Sequence, residues 1–149
     1  MKKIVFVLLA LFIINGVAIA GGGLDGFLSN LNIQAKADMN GFSAKLSAQF
    51  GVPEVQVRMV ISTVKEPSDA FMCLQLGQWT HKPTEQVVKV YKANQGKGWG
   101  VIAKRMGIKP GSAEFHALKS GDLTFGGQPS NEQSERPGKS KGKGKGHNK

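Results

Sequence analysis

Four side chains in this sequence carry groups that can act as nucleophiles or as acids and bases near neutral pH. They are the thiol of Cys73 and the imidazoles of His81, His116 and His147. A thiol beside an imidazole is an arrangement used in covalent catalysis, but no local pattern joins Cys73 to a histidine. Residues 70–76 are almost all apolar, and a cysteine in such a run behaves as a small buried hydrophobe. We therefore predict a buried thiol and no enzymatic activity, with a reactive thiol and a small hydrolase as the alternatives.

The sequence also lacks the short motifs that bind metal ions or that pair two carboxylates for catalysis. It contains no Cys-x-x-Cys, His-x-x-x-His or Asp-x-Asp, and Glu114 has no second carboxylate on its own predicted helix. Glu66 and Asp69 flank Pro67, and they suit the start of a helix, where negative charge is favourable. We predict no metal site and no cofactor.

Positive charge is the strongest chemical signal in the sequence, and it is unevenly placed. Residues 82–119 hold 8 basic and 2 acidic side chains, a net of +6, whereas residues 21–81 hold 4 basic and 5 acidic ones, a net of −1. The predicted binding face comprises Lys89, Lys92, Lys97, Lys104, Arg105, Lys109 and Lys119. Tyr91, Trp99 and His116 are interleaved with these cations, a composition typical of grooves that bind nucleic acid or other polyanions without sequence preference. The alternative is that Tyr91 and Trp99 belong to the core and that the cations form a solvated rim.

The end of the chain carries a second cationic element. Residues 126–149 consist largely of Gly, Ser, Asn, Gln, Glu, Pro and Lys, which cannot bury enough apolar surface to offset chain entropy. We predict a disordered tail that binds acidic polymers through charge alone. Its binding residues are Lys139, Lys141, Lys143, Lys145 and Lys149.

Capping residues and apolar spacing predict that an all-α domain of five to seven short helices positions these side chains. Asp25 and Asp38 are the candidate N-caps of the first two helices. Gly51 is expected to end the second helix as a C-terminal glycine. The apolar stripe of that second helix consists of Met39, Phe42, Leu46 and Phe50.

A third helix is predicted after Pro53, although its β-branched residues make a strand the competing interpretation. Its predicted apolar face is Val55, Met59, Val60 and Val64. Ser68 is the expected N-cap of the next helix, which contains Cys73 and should stop near Gly77 before a loop over residues 79–82.

Residues 87–118 are predicted to form a helix, a short helix, a tight turn and a last helix. Ala103 supplies the small residue that lets two helices touch, Gly107 supplies the turn, and Ser112 is the expected cap of the last helix, so the segment resembles a helix-turn-helix domain. Glu114 in the first turn would repel phosphates, and no arginine follows on that helix to recognise guanine. The resemblance therefore implies a packing arrangement and not sequence-specific DNA recognition. The core residues it implies are Trp99, Ile102, Met106, Phe115 and Leu118.

The string from Lys97 to Lys119 also resembles a group of small exported bacterial proteins of unknown function. These proteins share a Gly-Trp-Gly segment, a Gly-Ile-Lys-Pro-Gly-Ser segment and a Gly/Lys-rich tail. The resemblance implies export and no particular activity.

The N-terminus has the three parts of a secretory signal peptide. Lys2 and Lys3 precede an apolar run over residues 4–14, and Ala18-Ile19-Ala20 supplies the small residues of a cleavage site before Gly21. A transmembrane anchor is the alternative, but crossing a bilayer takes about 20 apolar residues. We predict a periplasmic or secreted protein that does not span the membrane after cleavage.

These observations predict a signal peptide over residues 1–20, an all-α domain over 21–125 and a disordered tail over 126–149. The leading functional hypothesis is an exported, non-enzymatic protein that binds acidic polymers or an envelope component through the basic face and the tail. The candidate ligands are nucleic acid bound without sequence preference, lipopolysaccharide phosphate and acidic polysaccharide. The alternative is an exported scaffolding protein that docks a protein partner through the helical domain.

Overall fold

The computed structural model describes residues 22–129, except for the side chains of residues 128 and 129. In this part of the chain the helices are α1 (Leu24–Ala37), α2 (Met39–Phe50), α3 (Glu54–Thr63), α4 (Pro67–Thr80), α5 (Thr84–Ala93), α6 (Trp99–Arg105) and α7 (Ala113–Ser120). Two short strands follow, β1 (Thr124–Phe125) and β2 (Gln128–Pro129). The prediction of a small all-α bundle is confirmed. The predicted signal peptide, and the predicted tail from residue 130 with its five lysines, lie outside the described residues.

Helix α4 is the centre of the domain. All its residues from Ala70 to Gly77 are buried, and a helix that is apolar on every side must be covered on every side. Helices α1, α2, α3 and α5 pack against it. The ring of Phe71 contacts the rings of Phe27, Phe50 and Phe125, with centroids 5.2, 5.6 and 6.2 Å away. These aromatic contacts make the region around α4 the main core.

Most helix ends lie where the local sequence places them. The side chains of Asp38 and Ser112 each accept a hydrogen bond from the backbone N–H three residues later, at 2.9 and 3.2 Å. Gly51 and Gly121 end α2 and α7 in the left-handed conformation, with φ of 64° and 70°. Asp25 is different, because α1 begins one residue before it and its side chain makes no cap hydrogen bond.

Helix α3 forms as predicted, but only half of its predicted apolar face, Val60 and Val64, faces the core. Val57 and Val60 are buried, whereas Val55 is 72% exposed and Met59 is 57% exposed. The helix packs against α2 and α4, so the side that meets those two helices is the apolar face. The predicted face combined residues from two sides, because this segment is apolar or β-branched around much of its circumference.

Ser68 does not cap α4, contrary to prediction. Glu66 holds the N-cap position, and its backbone N–H donates a hydrogen bond to Asp69 Oδ2 at 3.1 Å. Ser68 is buried inside the first turn, where its backbone N–H donates to Asn32 Oδ1 of α1 at 2.9 Å. The start of α4 is thus attached to α1 by a side chain far away in sequence.

Helix α4 also ends later than predicted, at Thr80 instead of near Gly77, so the first two residues of the predicted four-residue loop are helical. A Cβ added at Gly77 would lie 3.1 Å from the carbonyl oxygen of Lys82 and 3.6 Å from Val87 of α5. Gly77 therefore permits the close approach of α5, and His81, with φ of 53°, ends the helix.

The two strands form an antiparallel hairpin that closes on α2. Gly126 and Gly127 make its turn with φ of 64° and 81°, values suited to the tight turns of hairpins. The amide of Gln49 donates to the Thr124 carbonyl at 2.8 Å and accepts from the Gly126 N–H at 2.9 Å. The ammonium of Lys45 lies 5.6 Å from the centre of the Phe125 ring. The predicted domain boundary at residue 125 therefore falls inside this hairpin.

Candidate functional site

A basic cleft lies where the start of α1 meets α6 and α7. It is a cavity of about 450 Å³, and three of the predicted binding residues, Lys97, Lys104 and Lys119, line it together. Trp99 and Phe115 contribute aromatic lining. The rest of the lining is Gly22, Gly23, Leu24, Asp25, Gly98, Gly100 and Val101. The structure thus brings together cations from the α5–α6 turn, from α6 and from the end of α7.

A close backbone contact holds the walls of the basic cleft in place. Gly121 at the end of α7 has φ of 70°, and a Cβ added there would collide with the backbone of Gly23 and Leu24. Glycine is therefore needed for both conformation and space. The contact brings the beginning of the described chain beside Lys119, which is two residues before Gly121.

Trp99 is a core residue that also faces the cleft. It is 9% exposed, and its ring stacks on Tyr91 with a centroid distance of 5.4 Å and an interplanar angle of 18°. Ile102, Met106 and Leu118 are buried as predicted. Phe115, predicted as core, is only partly buried. These residues belong to the same continuous core as α4, and the stacked pair of Tyr91 and Trp99 forms its aromatic part between α5 and α6.

The cations of the basic cleft are available for an external ligand. Lys97, Lys104 and Lys119 are exposed. Within residues 22–129 the one ion pair is between Arg58 and Glu54, successive turns of α3, so none of the three lysines is paired with a carboxylate. Asp25 is the acidic residue in the lining, which leaves the cleft with three positive side chains and one negative one.

The other predicted binding residues lie apart from the basic cleft. Lys109 lines a different hollow of about 300 Å³, where Glu114 also lies. Lys89 and Lys92 on α5, and Arg105 on α6, are exposed but line none of the three described cavities. The structure therefore divides the predicted face into one cluster of three lysines and four scattered cations.

Within residues 22–129, Cys73 forms no nucleophile–base pair with His81 or His116. Cys73 is fully buried in α4, and burial, with a smaller effect of the Asp69 charge, raises the pKa of its thiol to about 12. Such a thiol stays protonated at neutral pH and is not a strong nucleophile. His81 and His116 are both exposed. In the described part of the chain no group of three His, Cys, Asp or Glu residues is placed to hold a metal ion.

A third hollow, which we name the polar pocket after its four polar side chains, was not predicted from the sequence. It measures about 500 Å³, and its lining includes the polar residues Lys65, Asp69, Tyr91 and Gln95 together with the apolar side chains of Trp99 and Ile102. The Tyr91 hydroxyl donates to Asp69 Oδ2 at 2.7 Å and accepts from the Lys65 backbone N–H at 3.2 Å. Burial is the main cause that raises the pKa of Tyr91, and the bond to Asp69 adds to it. No sequence motif reveals the pocket, because Asp69 and Gln95 are far apart in the chain and meet only through packing.

Comparison of the chain with models of protein families, with curated proteins and with solved structures finds no match. None of the helices between residues 22 and 129 has the length and apolar character needed to cross a membrane.

Proposed function

We propose that this protein is exported, is cleaved before Gly21, and binds acidic polymers in the periplasm or the medium without acting as an enzyme. The observation that carries the proposal is the basic cleft, in which Lys97, Lys104 and Lys119 line one cavity and pair with no carboxylate of residues 22–129. Three neighbouring cations repel one another, and an anionic chain that passes between them removes this repulsion and gains attraction.

The distribution of charge over the whole chain supports the same proposal. The net charge of the sequence is +10, and the segment from residue 82 to 119 contributes +6 of it. A polymer carrying many negative charges would meet the basic cleft first and the scattered cations Lys89, Lys92, Arg105 and Lys109 around it. We propose that the tail lysines add further contacts of the same non-specific kind.

One observation favours docking of a protein partner as a second candidate function. Val55 and Met59 lie one turn apart on α3 and are largely exposed, in the half of the domain that carries little net charge. Exposed apolar residues that share a helix face are a feature of protein interfaces. Such docking would be insensitive to salt, whereas binding of acidic polymers must weaken as salt is added.

The test compares the chain beginning at Gly21 with two triple variants that lose the same charge. In the cleft variant, Lys97, Lys104 and Lys119 are changed to Ala; in the control, Lys36, Lys45 and Arg58 are changed to Ala, all exposed and outside both the cleft and the predicted binding face. Binding to double-stranded DNA, to polyphosphate and to polygalacturonate is measured over a range of salt concentrations. Each lost phosphate contact flattens the plot of log affinity against log salt by about 0.9 on DNA, so the cleft variant should lose about 2–3 units of slope.

The control should lose clearly less slope than the cleft variant. Equal losses in the two variants would show that net charge alone matters and that the cleft is not a site. Ending the chain at Gly138 removes the five tail lysines, and should flatten the slope by several further units while weak binding by the domain remains. If no polyanion binds the parent chain at low salt, the proposal fails and protein docking takes its place.

A further inference from the structure

The polar pocket and the basic cleft are adjacent hollows on one surface. Gly98 and Trp99 line both of them, so the start of α6 forms the wall that separates one from the other. A polymer that extends past Gly98 and Trp99 from the basic cleft enters the polar pocket. What the polar pocket can accept is decided by the groups that line it.

Asp69 gives the polar pocket a fixed acceptor of hydrogen bonds. The described hydrogen bonds to its carboxylate all end on Oδ2, from the Tyr91 hydroxyl at 2.7 Å and from the Glu66 N–H at 3.1 Å. These two donors hold the carboxylate in place and leave Oδ1 without a described partner. An ionised carboxylate accepts hydrogen bonds and donates none, so it binds a hydroxyl and repels any anionic group, whether phosphate or carboxylate.

The remaining polar groups also suit a hydroxyl-bearing ligand. Gln95 is exposed on the lining and offers both a donor and an acceptor through its amide. Lys65 is exposed as well and offers an ammonium donor. Together with Asp69 they place hydrogen-bond acceptors and donors within one hollow, which suits a ring that carries several hydroxyl groups.

The aromatic residues of the same region are poorly placed to bind nucleic-acid bases. Proteins that bind single strands stack the bases on exposed aromatic rings. Here Trp99 is 9% exposed and stacks on Tyr91, which is buried. The aromatic pair therefore serves the core, and recognition in this region must rely on hydrogen bonds and charge.

We infer that the acidic polymer bound by this protein is an acidic polysaccharide, with its anionic groups in the basic cleft and the hydroxyl groups of a neighbouring sugar unit in the polar pocket, against Asp69 and Gln95. This inference rests on the proposed function and narrows its ligand class. It assigns Asp69 two roles, since the carboxylate fixes the start of α4 through Oδ2 and meets the ligand through Oδ1.

The test uses two matched substitutions, Asp69→Asn in the polar pocket and Asp25→Asn in the basic cleft. Each removes one negative charge from the lining of one hollow. The probes are polygalacturonate, which carries hydroxyl and carboxylate groups, and polyphosphate, which carries charge alone. Asp25→Asn should tighten binding of both polymers, because it removes a repulsive charge and no hydroxyl contact. Asp69→Asn should weaken the binding of polygalacturonate about tenfold. It should tighten the binding of polyphosphate or leave it unchanged.

Gln95→Ala is a second variant of the polar pocket, and it leaves the start of α4 intact. If Asp69→Asn lowers the melting temperature, Gln95→Ala becomes the test of whether the pocket binds the sugar. Gln95→Ala should weaken the binding of polygalacturonate about fivefold and leave the binding of polyphosphate unchanged. If Asp69→Asn tightens both polymers, or Gln95→Ala weakens neither, the polysaccharide inference is overturned while the proposed function stands. If the parent chain binds neither polymer nor DNA at low salt, the proposed function itself falls.

Discussion

Helices α1 to α4 enclose a cluster of phenylalanine rings, whereas α5 to α7 pack around one stacked pair, Tyr91 and Trp99. In the first region Phe71 is fully buried and touches three other rings. In the second, Trp99 is buried but still faces two cavities. The net charges of the corresponding sequence segments also differ, −1 for residues 21–81 and +6 for residues 82–119.

This comparison indicates that the two regions are under different physical demands. The region of α1 to α4 is stabilised by burying apolar surface, and this stabilisation does not depend on charge. The region of α5 to α7 adds fewer aromatic rings to the core and carries exposed lysines whose mutual repulsion works against folding. The proposed polymer ligand would neutralise these cations when it binds.

The substitution with the largest expected effect on stability is Phe71→Ala. This substitution removes a fully buried ring from the cluster around α4, and such a change costs about 3–5 kcal/mol of unfolding free energy. Denaturant unfolding measures the loss. As the control, Ile33→Ala alters a side chain that is 62% exposed and should change stability by less than about 0.5 kcal/mol. A Phe71→Ala protein as stable as the parent would contradict the assignment of this cluster as the main core.

Trp99→Ala tests the part of the core between α5 and α6 and should cost less, about 3 kcal/mol, at the lower end of the range for buried tryptophan. The substitution removes the stacking on Tyr91 and leaves a void that opens to the two neighbouring cavities, where solvent can enter. The melting temperature is compared with those of the parent and of Phe71→Ala. Unchanged melting would show that Trp99 is a binding surface and not part of the core.

The smallest expected effect is a pH dependence caused by Cys73. Because burial raises its pKa from 9.0 to about 12, the unfolded chain loses the thiol proton at lower pH than the folded chain does. The stabilising contribution is complete below pH 9 and is lost as pH rises from about 9 to 12. Between pH 8 and pH 11 the parent should lose about 2–3 kcal/mol more unfolding free energy than Cys73→Ala. Equal losses, from denaturant unfolding at the two pH values, would show that the thiol is not shielded from water.

Local features of the sequence were sufficient to predict the helical class and many helix ends. Asp38, Gly51, Ser112 and Gly121 act within a few residues of themselves, through capping hydrogen bonds or left-handed backbone conformation. The burial of Cys73 was predicted for a similar reason, because its immediate neighbours are apolar. The bulk charge asymmetry is a property of composition and needs no structure.

The placement of functional groups required contacts between distant parts of the chain. Lys97, Lys104 and Lys119 were predicted as part of a broad face, but their convergence with the start of α1 depends on the approach of Gly121 to Gly23. The polar pocket was not predicted, because Asp69 was assigned from the sequence to the start of a helix, where negative charge is favourable. The bond of Asp69 to Tyr91 joins α4 to α5 through residues that are 22 positions apart in the sequence.

Neighbouring residues and composition were enough to predict the helices, the caps Asp38 and Ser112, and the concentration of positive charge after residue 82. Tertiary structure alone decided which side of α3 is buried, why α4 passes Gly77 without stopping, and which cations share a cavity. The physical reason is that a helix with apolar residues on several sides can bury any of them, and only the surfaces of its neighbours select one. For this protein, that selection leaves Val55 and Met59 exposed and brings three lysines to one cleft.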